Sequence, residues 1–170
     1  VYICDTDPLL QEALKQAVGI HGKILIEPKI TGREFTIPVL EDRALRAIEI
    51  VPPEGNVTFD YIAKYQSGRE GAREVCPAGI PPEIEKLMGD MALQLHRTIG
   101  LSVYSRTDFI LDGEGNVWCL EVNTLPGMTP NSLIPRSAAL EGLSYAQLCE
   151  KIVSLSLEKN SRENGEFTEY

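Results

Sequence analysis

The chain has 170 residues and a formal net charge of −9. That length suits one ordinary domain or two small lobes. The acidic balance disfavours a nucleic-acid binder, because such a surface repels phosphodiester backbones. Hydrophobic residues make up 43% and charged residues 24%, which is globular rather than disordered composition, and no apolar stretch approaches the roughly 20 residues of a membrane span. Val1 opens an apolar run with neither an initiator Met nor the basic and apolar regions of a signal peptide, so the sequence reads as a cut chain. Cys4, Cys76, Cys119 and Cys149 show no zinc or redox spacing and are expected to be reduced core cysteines of a cytosolic protein.

The first predicted element is a helix with Asp7 as N-cap, Pro8 in its first turn and Gly19 as its stop. A strand is expected over 23–30, centred on Ile24, Leu25 and Ile26. Two more strands, Glu34 to Leu40 and Ala44 to Val51, should flank the turn Glu41-Asp42-Arg43 and complete an antiparallel meander. Residues 52–82 read as a long loop, and loops of that length are usually functional or disordered. Lys64, Arg69 and Arg73 on it could cover a polyphosphate, or simply be solvated. The next helix opens at Pro81-Pro82-Glu83 and stops at Gly100, with an apolar stripe of Ile84, Leu87, Met88, Met91, Ala92, Leu95 and Ile99. A strand–turn–strand follows at 103–123 and a Pro-, Gly- and Asn-rich loop at 124–132. A short helix runs from Pro135 to before Gly142. A last helix starts at the capping box Ser144…Gln147. From Asn160 to Tyr170 apolar periodicity is absent, so a disordered tail is expected.

The strand–turn–strand carries the chemistry. With Asp112 opposite Val117 and a four-residue loop between them, Asp108 faces Glu121 and Arg106 faces Asn123. Alternation sends all four to one face, while Phe109–Leu120 and Leu111–Trp118 pair on the core face. Two carboxylates with Cβ atoms about 5 Å apart repel. A cation reverses that sign, and an Asp/Glu/Asn set without His or Cys suits Mg²⁺ or Mn²⁺. Arg106 then serves an anion or a developing negative charge. The alternative is a solvated hairpin face with an ordinary Arg–Asp pair. In the following loop, Gly127 offers an unobstructed N–H and Ser132 a hydroxyl.

These residues resemble a known family. Arg106-x-Asp108 followed by Glu121-Val-Asn123-Thr-Leu-Pro-Gly127-Met-Thr-Pro-x-Ser132-Leu133 is similar to the C-terminal signature of D-alanine–D-alanine ligases, which are ATP-grasp enzymes. Ile26-Glu27-x-x-Ile30-x-Gly32-Arg33-Glu34-Phe35-Thr36 resembles their second ATP-binding segment. Phe59-Asp60-Tyr61-x-Ala63-Lys64-Tyr65 with Cys76-Pro77-Ala78 resembles their active-site loop. The likeness runs to about Leu157.

The resemblance implies an α+β fold: the C-terminal portion of an ATP-grasp fold, an antiparallel sheet packed with helices. It implies a division into the second half of an ATP-binding subdomain at 1–52, an active-site loop at 53–82, a catalytic subdomain at 83–159 and a tail at 160–170. Asp108, Glu121 and Asn123 would hold two Mg²⁺ ions (with Mn²⁺ an acceptable substitute) that bridge the ATP phosphates. Glu27 and the Ile30 backbone would meet adenine and Glu34 the ribose, with Phe59 and Lys64 on the nucleotide side of the loop. Arg106 and the Gly127 N–H would stabilise an oxyanion. Ser132 and the Leu133 backbone would bind the carboxylate of a second D-alanine, with Lys64 helping and Tyr65 above it.

The implied reaction joins two D-alanines through an acyl phosphate for peptidoglycan precursors, in the cytoplasm of a bacterium, with no nucleic-acid or membrane partner. An N-terminal half of the same enzyme would be required, so the fragment alone is expected to be inactive, and the resemblance allows a homodimer of the full-length enzyme. Pro28-Lys29 and Phe59 depart from the usual pattern, and Tyr65 without a nearby His favours a dipeptide product over one ending in D-lactate. Two alternatives stand: another ATP-grasp carboxylate–amine ligase, and a non-catalytic Mg²⁺- or nucleotide-binding module.

Overall fold

The computed structural model describes residues 1–20, 22–53 and 72–165, the last five by backbone alone. They fall into two compact units, Val1–Thr31 and Gly32 onward.

The first unit holds α1, Asp7–Val18. Thr6 rather than Asp7 is its N-cap, so Asp7 sits inside the first turn as a charge that suits the helix N-terminus. No strand forms over 23–30. Leu25 and Ile26 are exposed, and an isolated strand leaves its N–H and C=O groups unpaired.

Among the described residues the second unit is an antiparallel sheet with three helices. In chain order it comprises β1 (Gly32–Leu40), β2 (Arg43–Ala44), β3 (Ile48–Val51), β4 (Arg73–Val75), α2 (Pro82–Thr98), β5 (Tyr104–Asp112), β6 (Val117–Asn123), α3 (Leu133–Leu140) and α4 (Tyr145–Gly165). The sheet runs β4-β3-β1-β5-β6, with β2 also on β1. This α+β architecture is the expected one, but the neighbour of β1 on its far side is β5, not a strand at 23–30, so no meander forms. The short β4 lies within what reads in sequence as loop.

Strand β1 pairs with β5 over nine residues, from Gly32↔Asp112 to Leu40↔Tyr104. Gly32 is required there, because a Cβ would stand 2.2 Å from the Leu111 carbonyl oxygen. Alternation then sorts the faces. Phe35, Ile37, Val39 and Phe109 turn toward α2 and join Met88 and Ala92 in one core. Burying Phe35 and Phe109 contributes about 2–3 kcal/mol each. Leu40 turns the other way, into a second core with Leu45, Ile134, Ala138 and Leu148, built by α3 and α4. That core covers one end of the second face; Thr36, Arg106 and Asp108 lie next to it.

The single strand expected over 44–51 is broken at Leu45–Ala47. Pro38, opposite the break, has no N–H to give. The extra residue is fully accommodated, as a bulge must be. Leu45 N–H bonds the Pro38 carbonyl at 2.8 Å, and Ala47 accepts from Ala78 N–H at 2.8 Å. Ala47 N–H donates to Glu85 at 2.9 Å, and Ser137 donates to the Arg46 carbonyl at 2.7 Å.

Helix α2 has the expected bounds but a rotated stripe. Met88, Gly89, Ala92 and His96 are buried, whereas Leu87 and Ile99 are exposed. Helix α4 has the expected capping box: Gln147 N–H bonds Ser144 Oγ at 3.3 Å and Ser144 N–H bonds Gln147 Oε1 at 2.9 Å. It continues through Gly165, so the stretch from 160 is helix rather than the start of a disordered tail. All four cysteines are free, as expected, but none is a core residue and Cys119 is exposed. No helix of the described residues is long and apolar enough to cross a membrane.

His96 is only 1% exposed and its Nδ1 meets Ser105 Oγ at 2.8 Å. Burial pushes its pKa below the ordinary 6.5. The folded state therefore keeps His96 neutral, while the unfolded chain takes up a proton below that value. Stability from this site is present above 6.5 and is lost as pH falls below it. Urea unfolding at about pH 7.5 and about pH 5.5 should show a larger acid loss for the natural protein than for His96→Gln.

Candidate functional site

The hairpin β5–β6 brings the four predicted residues together. Asp108 lies opposite Glu121 and Arg106 opposite Asn123, as the sequence pattern predicts. The hairpin closes differently, however. Leu111, not Asp112, faces Val117, and Phe109 faces Cys119. A bulge after Asp108 leaves Leu120 as an extra residue on β6 and restores the register for Glu121 and Asn123. The expected core pairs Phe109–Leu120 and Leu111–Trp118 do not form, and Trp118 and Leu120 are exposed at 41% and 48%.

The turn chemistry explains the shift. Asp112 Oδ1 accepts the N–H groups of Glu114 at 2.9 Å and Asn116 at 2.8 Å. Its Oδ2 accepts Asn116 Nδ2 at 3.0 Å and Trp118 Nε1 at 2.8 Å. An Asp folding the chain onto its own side chain makes a tighter, longer loop than two facing strand ends, and Gly115 supplies the φ of +88° that the loop needs.

Around Asp108 the bonding is dense. Arg106 grips it with both arms, Nε to Oδ1 and Nη2 to Oδ2, each at 3.0 Å. Thr36 Oγ1 donates to Oδ1 at 2.6 Å, and Asn123 Nδ2 donates to Oδ2 at 3.2 Å. Asn123 Nδ2 also reaches Glu121 Oε1 at 3.3 Å. The side chains of Arg106 and Asp108 are 21% and 18% exposed, so this pair is stronger than a solvated one.

The donor set fits a hard cation. It is made of oxygens only, and Asn123 turns its nitrogen to the carboxylates, leaving Oδ1 to face an ion. The Cys119 thiol is pushed up by desolvation and by Asp108, so it stays protonated near neutrality and outside that set. In the structure Arg106 provides the counter-charge to Asp108; a cation at Oδ2 would displace it.

The acceptor loop is a second constellation. Ser132 Oγ accepts Thr129 N–H at 3.0 Å and shares a hydrogen bond with Thr129 Oγ1 at 2.9 Å. A Cβ on Gly127 would stand 3.4 Å from the same Oγ, so Gly127 and Ser132 are neighbours. Ser132 is the N-cap of α3, which starts at Leu133 rather than Pro135, but its hydroxyl does not cap the helix. A helix N-terminus suits a carboxylate, because its first N–H groups have no partner within the helix. Tyr145 on α4 holds the loop by donating to the Met128 carbonyl at 2.8 Å. An Arg136–Glu74 ion pair ties α3 to β4, supported by Arg136 Nη2 on the Glu74 carbonyl at 3.1 Å.

Glu34 lies on β1 opposite Ile110, two residues from Thr36 and on the same face. Glu27 and Ile30 belong to the first unit, Glu27 exposed and Ile30 half-buried. Phe59, Lys64, Tyr65 and Arg69 lie outside the described residues. Sequence reasoning missed Thr36, Thr129 and Tyr145 as groups that hold site residues. Thr129 sits three residues before an N-cap Ser, a detectable local signal; the other two act across the fold.

Comparison with known proteins gives a consistent picture. Residues 1–154 match the family described as D-ala D-ala ligase C-terminus. A D-alanine–D-alanine ligase of Nitratidesulfovibrio vulgaris is 45% identical over 148 residues, covering 87% of this chain and 48% of its own. A Bacillus anthracis D-alanine–D-alanine ligase solved in complex with ATP aligns with a TM-score of 0.75 at 26% identity, covering 93% of this chain and 49% of that one. The VanG D-Ala:D-Ser ligase of Enterococcus faecalis aligns at 0.73 and 27%, covering 88% and 43%. The chain thus spans about half the length of the relatives it matches.

The four bonds at Asp112 hold its pKa at about 2, below the ordinary 3.8. A carboxylate with a depressed pKa stabilises the fold above its unfolded value and loses that contribution as pH falls through its folded value. The stability gap between the natural protein and Asp112→Asn, read by urea unfolding, should be constant above about pH 4 and shrink toward about pH 2. Fluorescence of Trp118, the single Trp of the chain, should change over the same window.

Proposed function

The chain belongs to the family of D-alanine–D-alanine ligase C-terminal regions, and on that premise we propose that the intact protein is an ATP- and Mg²⁺-dependent ligase. It joins two D-alanines for peptidoglycan precursor synthesis in the bacterial cytoplasm. The observation that carries this reading is the polar patch on β5–β6, where Asp108 and Glu121 face each other beside Arg106 and Asn123. An oxygen-only set beside an arginine suits phosphoryl transfer followed by attack on an acyl centre.

In this reading Asp108, Glu121 and Asn123 hold two Mg²⁺ ions. Bound there, the ions would supply charge neutralisation for phosphoryl transfer from ATP to the carboxylate of the first D-alanine. Arg106 leaves Asp108 and, with the Gly127 N–H, faces the negative oxygen that develops when the second amine attacks the acyl phosphate. Ser132 and the Leu133 backbone orient the second D-alanine through its carboxylate, with the α3 N-terminus adding its dipole. Glu27, Ile30 and Glu34 serve the nucleotide. Phe59, Lys64 and Tyr65 serve the nucleotide and the second substrate from the loop at 53–82. Residues 1–52 would then be the nucleotide side and 83–159 the metal and acceptor side. The remaining length of the relatives is where the site for the first D-alanine amine and two further ATP-binding lysines would arise; these residues alone would be inactive.

Two measurements test the reading. The intact protein should release phosphate from ATP only when D-alanine and Mg²⁺ are both present; release driven by another amino acid instead would overturn it. Asp108→Asn and Glu121→Gln should each lower that rate by more than about 100-fold with circular dichroism unchanged. Either variant keeping most of the rate would remove its residue from the metal set.

A further inference from the structure

Thr36 is 1% exposed in the middle of β1. A hydroxyl so buried needs a partner, and it has two acceptors within reach. Asp108 Oδ1 is 2.6 Å away and the Thr107 carbonyl 3.4 Å away. Thr36 has one proton, and the shorter bond to a charged acceptor takes it. The bond follows from the β1–β5 register, which sets Thr36 directly opposite Asp108.

The other donors to Asp108 have further tasks. A carboxylate offers about four acceptor positions, and Arg106 fills two, Thr36 one and Asn123 one. In the function proposed above, Arg106 turns to the reacting oxygen and Asn123 to a cation. Both sit on the accessible side and can move. Thr36 cannot, because it is fixed between β3 and β5 in the interior of the sheet. When the site is loaded, Thr36 is the donor that still holds Asp108.

We propose that Thr36 is a positioning residue of the cation site: its buried hydroxyl pins Oδ1 of Asp108, so that Oδ2 is the oxygen presented to the ion. Without that hydroxyl, Oδ1 loses its inner partner, and the carboxylate turns further onto Arg106, which competes with the cation. Groups that orient a ligating side chain commonly govern metal affinity by about 10–100-fold; a single neutral hydroxyl belongs at the lower end.

The inference rests on the cation reading of the patch, and its test separates the two. Mn²⁺ binding to the intact protein in the presence of ADP is followed by the electron paramagnetic resonance of free Mn²⁺. Thr36→Val is nearly isosteric and should weaken binding about tenfold, whereas Thr36→Ser should stay within about twofold of the natural protein. Thr36→Ala carries the same expectation as Val, should Val not fold. In turnover, half-saturating Mg²⁺ should rise about tenfold in Thr36→Val while the rate at saturating Mg²⁺ changes by less than about threefold. Unchanged Mn²⁺ binding in Thr36→Val, or a Ser variant as weak as Val, overturns the positioning role. So does a loss of rate with an unaltered Mg²⁺ dependence. Glu121→Gln is the control: if it too leaves Mn²⁺ binding unchanged, the cation site itself is wrong.

Discussion

Everything in the second unit depends on the nine-residue ladder between β1 and β5. β1 is buried along most of its length, with Phe35 through Leu40 all inaccessible to water. Its register therefore decides two surfaces at once. Phe35, Ile37 and Val39 belong to the core against α2, and Thr36, on the opposite face, meets Asp108. A slip of one residue would put a hydroxyl into the first core and an aromatic ring against the polar patch, so selection for packing also fixes the site. The same ladder explains why Pro38 is tolerated in a central strand. It stands where β2 gives way to β3, and Leu45, Arg46 and Ala47 draw their partners from Pro38, Glu85, Ser137 and Ala78.

The polar patch inherits its rigidity from that ladder and its alignment from β6. A charged pair at about one-fifth exposure is costly to leave unpartnered, so Arg106 folds onto Asp108 with two bonds. That arrangement fixes the orientation of the carboxylate, with Thr36 on Oδ1 and Asn123 on Oδ2 beside the two arginine bonds. The bulge at Leu120 has a matching role. It rotates Glu121 and Asn123 back onto the face of Asp108 after the Asp112 turn has shifted the strand by one place.

The sequence made the hairpin and its four polar residues legible, because alternation over 104–123 is strong and Asp-Gly-Glu-Gly-Asn is a recognisable turn. The right cross-strand pairs nevertheless emerged from a wrong loop, since the five-residue closure and the bulge offset each other. Turn chemistry that uses a side chain as an acceptor four ways, as Asp112 does, is invisible to pattern counting. The strand expected at 23–30 failed for a related reason. Ile24-Leu25-Ile26 has strand composition, but propensity supplies no hydrogen-bonding partner, and the open side of β1 belongs to β5. Family resemblance carried the site assignments that local patterning could not, Ser132 and Leu133 among them. Thr36 and His96 received no role by either route: Thr36 acts through Asp108, 72 residues away, and His96 through its burial beside Ser105.

Those two residues show how differently the faces of β5 treat buried polarity. On the α2 side, His96 and Thr107 each retain an atom without a hydrogen-bond partner among the described residues, while His96 Nδ1 is satisfied by Ser105. On the other side, Thr36, Arg106 and Asn123 all donate to Asp108, and the bonds radiate from one carboxylate. Unsatisfied atoms cost stability wherever they lie, so a sheet that tolerates them behind the strand while concentrating its donors in front directs its polar groups toward the site. The acceptor loop follows the same logic with different parts. Thr129 holds Ser132, Tyr145 holds the Met128 carbonyl, and Arg136 anchors α3 to β4. In both constellations a residue suited to touching a ligand is held in part by a group from elsewhere in the fold, Thr36 of β1 for Asp108 and Tyr145 of α4 for the loop, while Thr129 holds Ser132 from within the loop itself. A substitution in the supporting set should therefore alter how tightly a ligand is held before it alters what chemistry the site can perform.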